Sequence, residues 1–288
     1  MKKNIFFGII LIALPASIAL AQQPPQYRQE PKPISVHKIT DAVYEFRGGS
    51  GANTACILTR DGVFVVDGKM HVKSAGEMVA EIKKLSDKPI TDILLTHSDG
   101  DHVQGLPGFP ENVRIISHAN TRKHMMKANE ESDSDLPLPS MTFTKRMQIH
   151  AGKTRILLFH FGPAHTDGDV VIFLPKDKVA IIGDLFFTDR DPLIHMHKNG
   201  NSFGLAKTLK QICELDAEIV LSGHSEPVGK PEIRELLKSL EDKQGAIKRM
   251  VAEGKTLDEI KTSFDIPLEE QRWKSLVEVI YLELTADK

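Results

Sequence analysis

Six consecutive residues, His97-Ser98-Asp99-Gly100-Asp101-His102, constrain this chain more than any other segment. They include four side chains that can bind a metal ion, and they directly follow the run 93–96, which has the composition of a buried strand. Loops at the ends of buried strands are positions at which a rigid scaffold presents functional groups. Nitrogen and oxygen ligands without sulfur suit zinc, iron or manganese. The segment therefore predicts a metal site at the end of a strand.

Three more potential ligands lie farther along the chain, and each one follows a strand-like run. They are His165, Asp184 and His224. A single residue of this kind at a strand end is usually a turn or cap residue. Together with the first segment, however, they exceed the roughly four ligands that one metal ion takes in proteins. The surplus predicts two metal ions.

In this order, the residues resemble the metallo-β-lactamase superfamily. The resemblance covers about residues 36–228, and Asp67 matches the strand-end aspartate that supports the metal loop in that family. It implies an α/β (α+β) fold, the four-layered αβ/βα sandwich, in which two sheets pack together and helices cover both outer faces. The predicted elements agree, because short turns join many of the strands and the long helices come last.

The resemblance also implies a role for each candidate ligand. The first ion would take His97, Asp99 and His165, the second would take Asp101, His102 and His224, and Asp184 would bridge the two. One position departs from the family motif His-x-His-x-Asp-His, since Asp99 replaces the second histidine. An oxygen ligand makes the first site harder and more anionic. Two divalent ions, most simply Zn²⁺, are expected, while Fe, Mn or a weakened first site remain open.

The resemblance implies a β-lactamase-like hydrolase in which a metal-bound hydroxide attacks a carbonyl of a β-lactam, a lactone or a related amide or ester. Asp101 is the predicted catalytic residue, because it would bind metal and orient the nucleophile. In relatives the loop after Asp184 lines the cleft, so Asn199 and Asn201 are candidate substrate donors. Three alternatives remain: a thioesterase resembling glyoxalase II, a mononuclear iron oxygenase of this fold, and a metal-binding protein without catalysis.

The first residues predict a signal peptide. Lys2 and Lys3 precede an apolar run at 5–20, and Ala19-Leu20-Ala21 matches the small-x-small pattern for cleavage after Ala21. We therefore expect a periplasmic or secreted protein, without stable membrane insertion once the signal is removed. The predicted organisation is a signal peptide at 1–21, a disordered lead-in at 22–34, a metallo-β-lactamase-fold domain at 35–230 and a C-terminal helical extension at 231–288.

The charge composition indicates which classes of molecule the chain binds. The 37 basic and 39 acidic residues nearly balance, and no basic stripe is visible, so a small-molecule substrate is expected and nucleic acid is not. Cys56 and Cys213 lie far apart in apolar runs and outside any Cys-x-x-Cys pair. They are expected to be separate buried thiols, although an exported protein could pair them. The sequence leaves the oligomeric state open.

Periodicity predicts elements outside the metal segments as well. Alternating apolar residues at 141–148 indicate a single strand, and helical spacing indicates helices at 74–85, 231–252 and 268–284.

Overall fold

The computed structural model describes residues 32–286. Seven strands form the first sheet, in chain order: β1 (Ser35–Lys38), β2 (Val43–Arg47), β3 (Thr54–Leu58), β4 (Val63–Val66), β5 (Ile90–Leu94), β6 (Arg114–His118) and β7 (Met141–Phe143). The pairs from β1 to β4 are antiparallel, and those from β4 to β7 are parallel. The parallel half brings the carboxyl ends of β4 and β5 to one edge.

Five strands form the second sheet: β8 (Arg146–Ala151), β9 (Thr154–Phe159), β10 (Val171–Leu174), β11 (Val179–Ile181) and β12 (Ile219–Leu221). Their spatial order is β12-β11-β10-β9-β8. The pairs from β8 to β11 are antiparallel, whereas β11 and β12 are parallel.

Helices cover both outer faces of the two sheets. They are α1 (Val72–Leu85), α2 (Gly100–Val103), α3 (Ala119–Ser132), α4 (Ser202–Glu214), α5 (Lys230–Ala252), α6 (Leu257–Ser263) and α7 (Leu276–Thr285). Short 3₁₀ turns lie at Leu106–Gly108, Gly183–Leu185 and Met196–Lys198.

The layering follows from the alternation of side chains along buried strands. On β4, Phe64 and Val66 belong to the core between the sheets, whereas Val63 and Val65 pack in the cluster that contains Met78 of α1. On β10, alternate residues likewise divide between the core between the sheets and the cluster beneath α4. Both faces of each sheet are therefore buried, and the predicted four-layered sandwich is confirmed.

The prediction of a single strand at 141–148 is wrong. β7 pairs with β6 in the first sheet, whereas β8 pairs with β9 in the second. The chain changes sheet at Thr144 and Lys145. No glycine or proline marks this break, and both short strands alternate with the same period, so the local pattern reads as continuous.

The prediction of a helix at 268–284 begins too early, because α7 starts at Leu276. Ser275 caps the helix, and its side chain accepts a hydrogen bond from the backbone N–H of Glu278. The preceding residues 267–274 are exposed and cannot bury an apolar helix face. They form an irregular segment, and its Trp273 packs against the ring of His195.

The helices after residue 230 share a core with the second sheet. Ile233, Leu240 and Ile247 form a stripe on α5, spaced by seven residues, and belong to one cluster with Leu205 and Leu209 of α4. Residues 32–286 belong to one compact unit. The predicted extension is therefore packed against the sandwich.

The predicted signal peptide and most of the predicted lead-in lie outside the described residues. The last part of the lead-in, 32–34, contacts the fold, because the Lys32 carbonyl accepts a hydrogen bond from the Gly49 N–H at 2.6 Å and Ile34 packs against the α1 cluster. Among residues 32–286, every helix is too short or too polar to cross a membrane.

The two cysteines are free thiols on opposite sides of the sandwich. Cys56 is buried in the cluster beneath α1, and the partly buried Cys213 packs against the cluster beneath α4. The two sheets separate them, so no disulfide joins them. Burial raises the pKa of the Cys56 thiol to about 12, which keeps it protonated and unreactive.

His118 gives the fold a pH-dependent stability. Its Nδ1 accepts from the Asn120 N–H at the start of α3, and its Nε2 donates to the Thr144 carbonyl, so the neutral ring is fully bonded. Burial, followed by the stacked ring of His160 at 3.9 Å, lowers the pKa of His118 to about 4.

Because the unfolded ring has a pKa of about 6.5, the unfolded chain binds the proton first as the pH falls. As the pH is lowered from 6.5 to about 4, we therefore expect His118 to reduce the free energy of unfolding. His118→Asn keeps a capping acceptor without a titrating ring, so its midpoint of thermal unfolding should depend less steeply on pH. The exposed His150→Asn is the matched control. Equal slopes for wild type and His118→Asn would contradict this origin.

Candidate metal centre

The candidate ligands lie at one edge of the sandwich, after strands of both sheets. β5 leads into the segment 97–102, while β11 and β12 lead to Asp184 and His224. Because β11 and β12 are parallel, their carboxyl ends meet at the same edge. His224 Nε2 consequently lies 3.3 Å from Asp184 Oδ2, although 40 residues separate the two in sequence.

His97, Asp99 and His165 form a first pocket. Asp99 Oδ2 lies 3.1 Å from His165 Nε2 and 3.7 Å from His97 Nε2. The two rings are fully buried, and the carboxylate is mostly buried. These are the three residues that the sequence predicts for the first ion.

Asp101, His102 and His224 form a second pocket. Asp101 Oδ2 is 3.0 Å from His224 Nε2 and 3.9 Å from His102 Nε2. Asp184 Oδ1 lies 3.2 Å from His102 Nε2, and Asp184 forms a third possible ligand group with His97 and His102. Asp184 therefore lies between the two pockets, where the sequence predicts a bridging carboxylate.

Three buried atoms at this junction have no hydrogen-bond partner among residues 32–286: His97 Nε2, His102 Nε2 and Asp184 Oδ1. His102 Nε2 and Asp184 Oδ1 are close, yet their geometry is not that of a hydrogen bond. Ligand atoms bound tetrahedrally to one ion at roughly 2.0–2.2 Å lie about 3.3 Å apart. Polar atoms that are buried without partners are costly, and cations bound at the two pockets would satisfy all three. The residues therefore fit a divalent metal centre.

The pockets pair histidines with carboxylates. Burial alone would lower the pKa of His165, but the hydrogen bond and charge of Asp99 outweigh burial and raise this pKa to about 9. Asp101 and Asp184 act against burial in the same way on His224, whose pKa also rises to about 9. Burial alone would raise the pKa values of the Asp99 and Asp184 carboxyls, but the surrounding histidines hold them far below their usual range.

The other ring nitrogens of three histidines are fixed by neighbours. His102 Nδ1 lies 2.8 Å from Asp67 Oδ2, and His165 Nδ1 lies 2.7 Å from the Leu193 carbonyl. His97 Nδ1 lies 3.0 Å from Thr96 Oγ1. Such contacts set the ring orientation and leave Nε2 to face the site.

The two asparagines predicted to bind substrate have other partners in the fold. The Asn201 side chain caps α4 by accepting from the Gly204 N–H at 2.7 Å. The Asn199 side chain donates to Asp167 Oδ2 at 2.8 Å. Their role towards a substrate stays a prediction.

Sequence reasoning did not assign His195, Lys198 and Trp273 to the site. His195 Nε2 and Lys198 Nζ each lie 2.7 Å from an oxygen of Asp99, and the Trp273 ring lies 4.9 Å from the His195 ring. His195 and Lys198 lie in the loop after Asp184. That position, close in sequence to a predicted ligand, is the sequence feature that could have identified them. Nothing in the local sequence of Trp273 points to the site.

The sequence profile of the metallo-β-lactamase superfamily matches residues 47–224, more than half of the chain. A metallo-β-lactamase type 2 from Elizabethkingia meningoseptica is 26% identical over 191 residues, which cover 64% of this chain and 72% of that protein. A linear primary-alkylsulfatase from a Pseudomonas species is 22% identical, and the match covers 72% of this chain and 48% of the sulfatase. This chain thus spans about half the length of that relative.

Solved structures show the same fold. A metallo-β-lactamase from Pontibacter korlensis superposes with a TM-score of 0.64 at 18% identity, covering 72% of this chain and 99% of that one. The DIM-1 metallo-β-lactamase gives a TM-score of 0.63 at 17% identity, with 74% of this chain and 99% of that chain covered.

Proposed function

Because this chain belongs to the metallo-β-lactamase superfamily, we propose that it is an exported hydrolase with two divalent metal ions that cleaves a carbonyl substrate. The observation that carries this proposal is the position of Asp184. Its Oδ1 lies against His102 and its Oδ2 against His224, both in the second pocket, and Asp184 also forms a possible ligand group with His97 of the first pocket. A carboxylate that lies near histidines of both pockets suits a pair of ions.

His97, Asp99 and His165 would hold the first ion, and Asp101, His102 and His224 the second, with Asp184 between them. Such ions activate water for attack on a carbonyl and polarise the carbonyl oxygen. Zn²⁺ suits the histidine-rich donor set. Asp99 makes Fe or Mn the alternatives to test.

Asp101 is the proposed catalytic residue. Its side chain is 29% exposed, and that of its partner His224 is 32% exposed, whereas His97, His102 and His165 are buried. A substrate therefore meets the site on the side of Asp101. Its carboxylate can accept a hydrogen bond from the attacking water and hold that water towards the carbonyl carbon.

β-Lactams and lactones are the proposed substrate class, because similar proteins include metallo-β-lactamases. A thioesterase is the second candidate, and a carboxylate at position 184 favours it by resemblance. An alkyl sulfate should also be assayed as a substrate, because one similar protein is a linear primary-alkylsulfatase.

Purification without added metal, followed by elemental analysis and hydrolysis assays, tests this proposal. We expect two Zn²⁺ or Mn²⁺ ions per chain and turnover of the β-lactam or the lactone. Turnover of only the thioester or the alkyl sulfate would reassign the substrate. A single iron with oxygen consumption would overturn the hydrolase.

Export is the second part of the proposal and rests on the pattern at residues 2–21. Fractionation of the bacterial host, followed by N-terminal sequencing, should recover a chain that begins at Gln22 outside the cytoplasm. Recovery of a cytoplasmic chain that still begins at Met1 would contradict export.

A further inference from the structure

The Asp99 carboxylate is surrounded by a second set of residues beyond the first pocket. His195 Nε2 lies 2.7 Å from Asp99 Oδ2, the oxygen that faces His97 and His165. Lys198 Nζ lies 2.7 Å from the other oxygen, Oδ1. Both residues come from the loop between Asp184 and α4, nearly 100 residues along the chain from Asp99.

The His195–Asp99 distance indicates a hydrogen bond rather than two ligands on one ion. Ligand atoms on one tetrahedral ion lie about 3.3 Å apart, whereas charge-assisted N–H···O bonds are typically about 2.7–2.9 Å. Among residues 32–286, the ligand groups that contain Asp99 do not include His195. The ring is buried, with 5% of its surface exposed, so this contact is built into the fold.

Lys198 offsets the charge that Asp99 adds. Where Asp99 replaces a neutral histidine, the pocket gains one negative charge. Lys198 donates to Asp99 Oδ1 and also to the carbonyl and hydroxyl oxygens of Ser98, each at 3.2 Å. These contacts leave Oδ2 facing the pocket, and the carboxylate and ammonium together carry no net charge.

We propose that His195 and Lys198 are positioning residues that hold the Asp99 carboxylate and thereby preserve a metal pocket in which aspartate replaces histidine. This inference rests on the proposed metal centre. It gives the loop after Asp184 a function in metal binding, separate from any contact with substrate.

Trp273 extends this support to the C-terminal segment, outside the region matched by the family profile. Its ring packs edge-on against His195 with centroids 4.9 Å apart, and it stacks on His197 at 6.3 Å and 13°. It is the only tryptophan of the chain. Its fluorescence therefore reports whether the loop keeps its place in a variant.

The test compares disruptive and conservative variants of the full chain. We expect His195→Leu and Lys198→Met each to weaken Zn²⁺ binding at the first pocket by about 10–100-fold, which is typical of a residue that supports a ligand. His195→Gln, which keeps a donor near the Nε2 position, and Lys198→Arg, which keeps the cation, should restore most of the affinity. Competition with a chelator measures both ions, and the visible spectrum of bound Co²⁺ reports the geometry of the first pocket.

The matched controls are His150→Leu and Lys207→Met. His150 is exposed on β8 and Lys207 is exposed on α4, and neither residue bonds Asp99. Wild-type Zn²⁺ affinity in both disruptive variants would overturn the inference. An equal loss in His195→Gln and His195→Leu, with wild-type far-UV circular dichroism in both variants, would instead make His195 a ligand and would also overturn it. Failure of the proposed function appears separately, as a wild-type protein that binds metal without hydrolysis.

Discussion

Asp101→Ala is expected to abolish most of the hydrolytic activity while leaving the fold intact. The side chain is partly exposed and contacts His224 Nε2 at 3.0 Å, so its removal opens the second pocket without disturbing a core. Loss of a residue that only supports a ligand typically costs roughly 10–100-fold. Because Asp101 would itself bind the metal and orient the water, its loss should cost more, and we expect kcat/KM to fall on the order of 10³-fold. Steady-state kinetics on the substrate that wild type hydrolyses, together with metal content per chain, measures this effect.

Asp189→Ala is the matched control for Asp101→Ala, because it removes an exposed carboxylate from the loop after Asp184. It should retain full metal content and near wild-type activity. The assignment of Asp101 fails if Asp101→Ala keeps both its second metal ion and its rate. A variant that keeps both ions but loses rate would assign Asp101 to orientation of the nucleophile rather than to metal binding.

Much of the candidate centre is predictable because its residues occur at the ends of buried strands. The segment 97–102 follows β5, and Asp184 and His224 follow β11 and β12. Parallel pairing of β11 and β12 brings the last two together, and short segments of this kind leave a local signal in the sequence. The layering is also predictable from local sequence, because β4 and β10 are apolar on both faces and must therefore be covered on both sides.

The remaining features depend on how distant segments meet. His195 contacts Asp99 across 96 residues, and Trp273 reaches His195 from a segment whose spacing predicts a helix. No spacing rule encodes such an approach. The division of 141–148 between two sheets is similar, because β7 and β8 have compatible local patterns and only their partners distinguish them.

Asp67 connects the fold to the centre, and its replacement should affect both. It is buried with φ of 62°, a left-handed conformation that aspartate and asparagine tolerate better than most residues. Its Oδ1 accepts from the Thr96 N–H at 2.8 Å. Its Oδ2 lies 2.7 Å from Thr96 Oγ1 and 2.8 Å from His102 Nδ1. One carboxylate thus holds both the start of the metal loop and a ligand ring.

Asp67→Asn tests this connection with little change in shape or backbone preference. The amide has only one acceptor oxygen, so its NH₂ group must face at least one of the donors that the carboxylate accepts. Because a buried donor loses its partner, we expect a loss of about 1–3 kcal/mol in the free energy of unfolding. Binding of the metal that His102 would ligate should weaken by roughly 10–100-fold. Chemical denaturation and competition with a chelator measure the two effects.

Asp92→Asn is a matched control, because Asp92 is equally buried on the first sheet but its carboxylate pairs with Arg114, away from the centre. It should cost stability without changing metal affinity. If Asp67→Asn lowered stability alone and bound metal like wild type, the contact with His102 would be structural only. If metal affinity fell alone, Asp67 would act on the ligand ring without supporting the loop. The geometry requires both, because the same oxygen contacts Thr96 and His102.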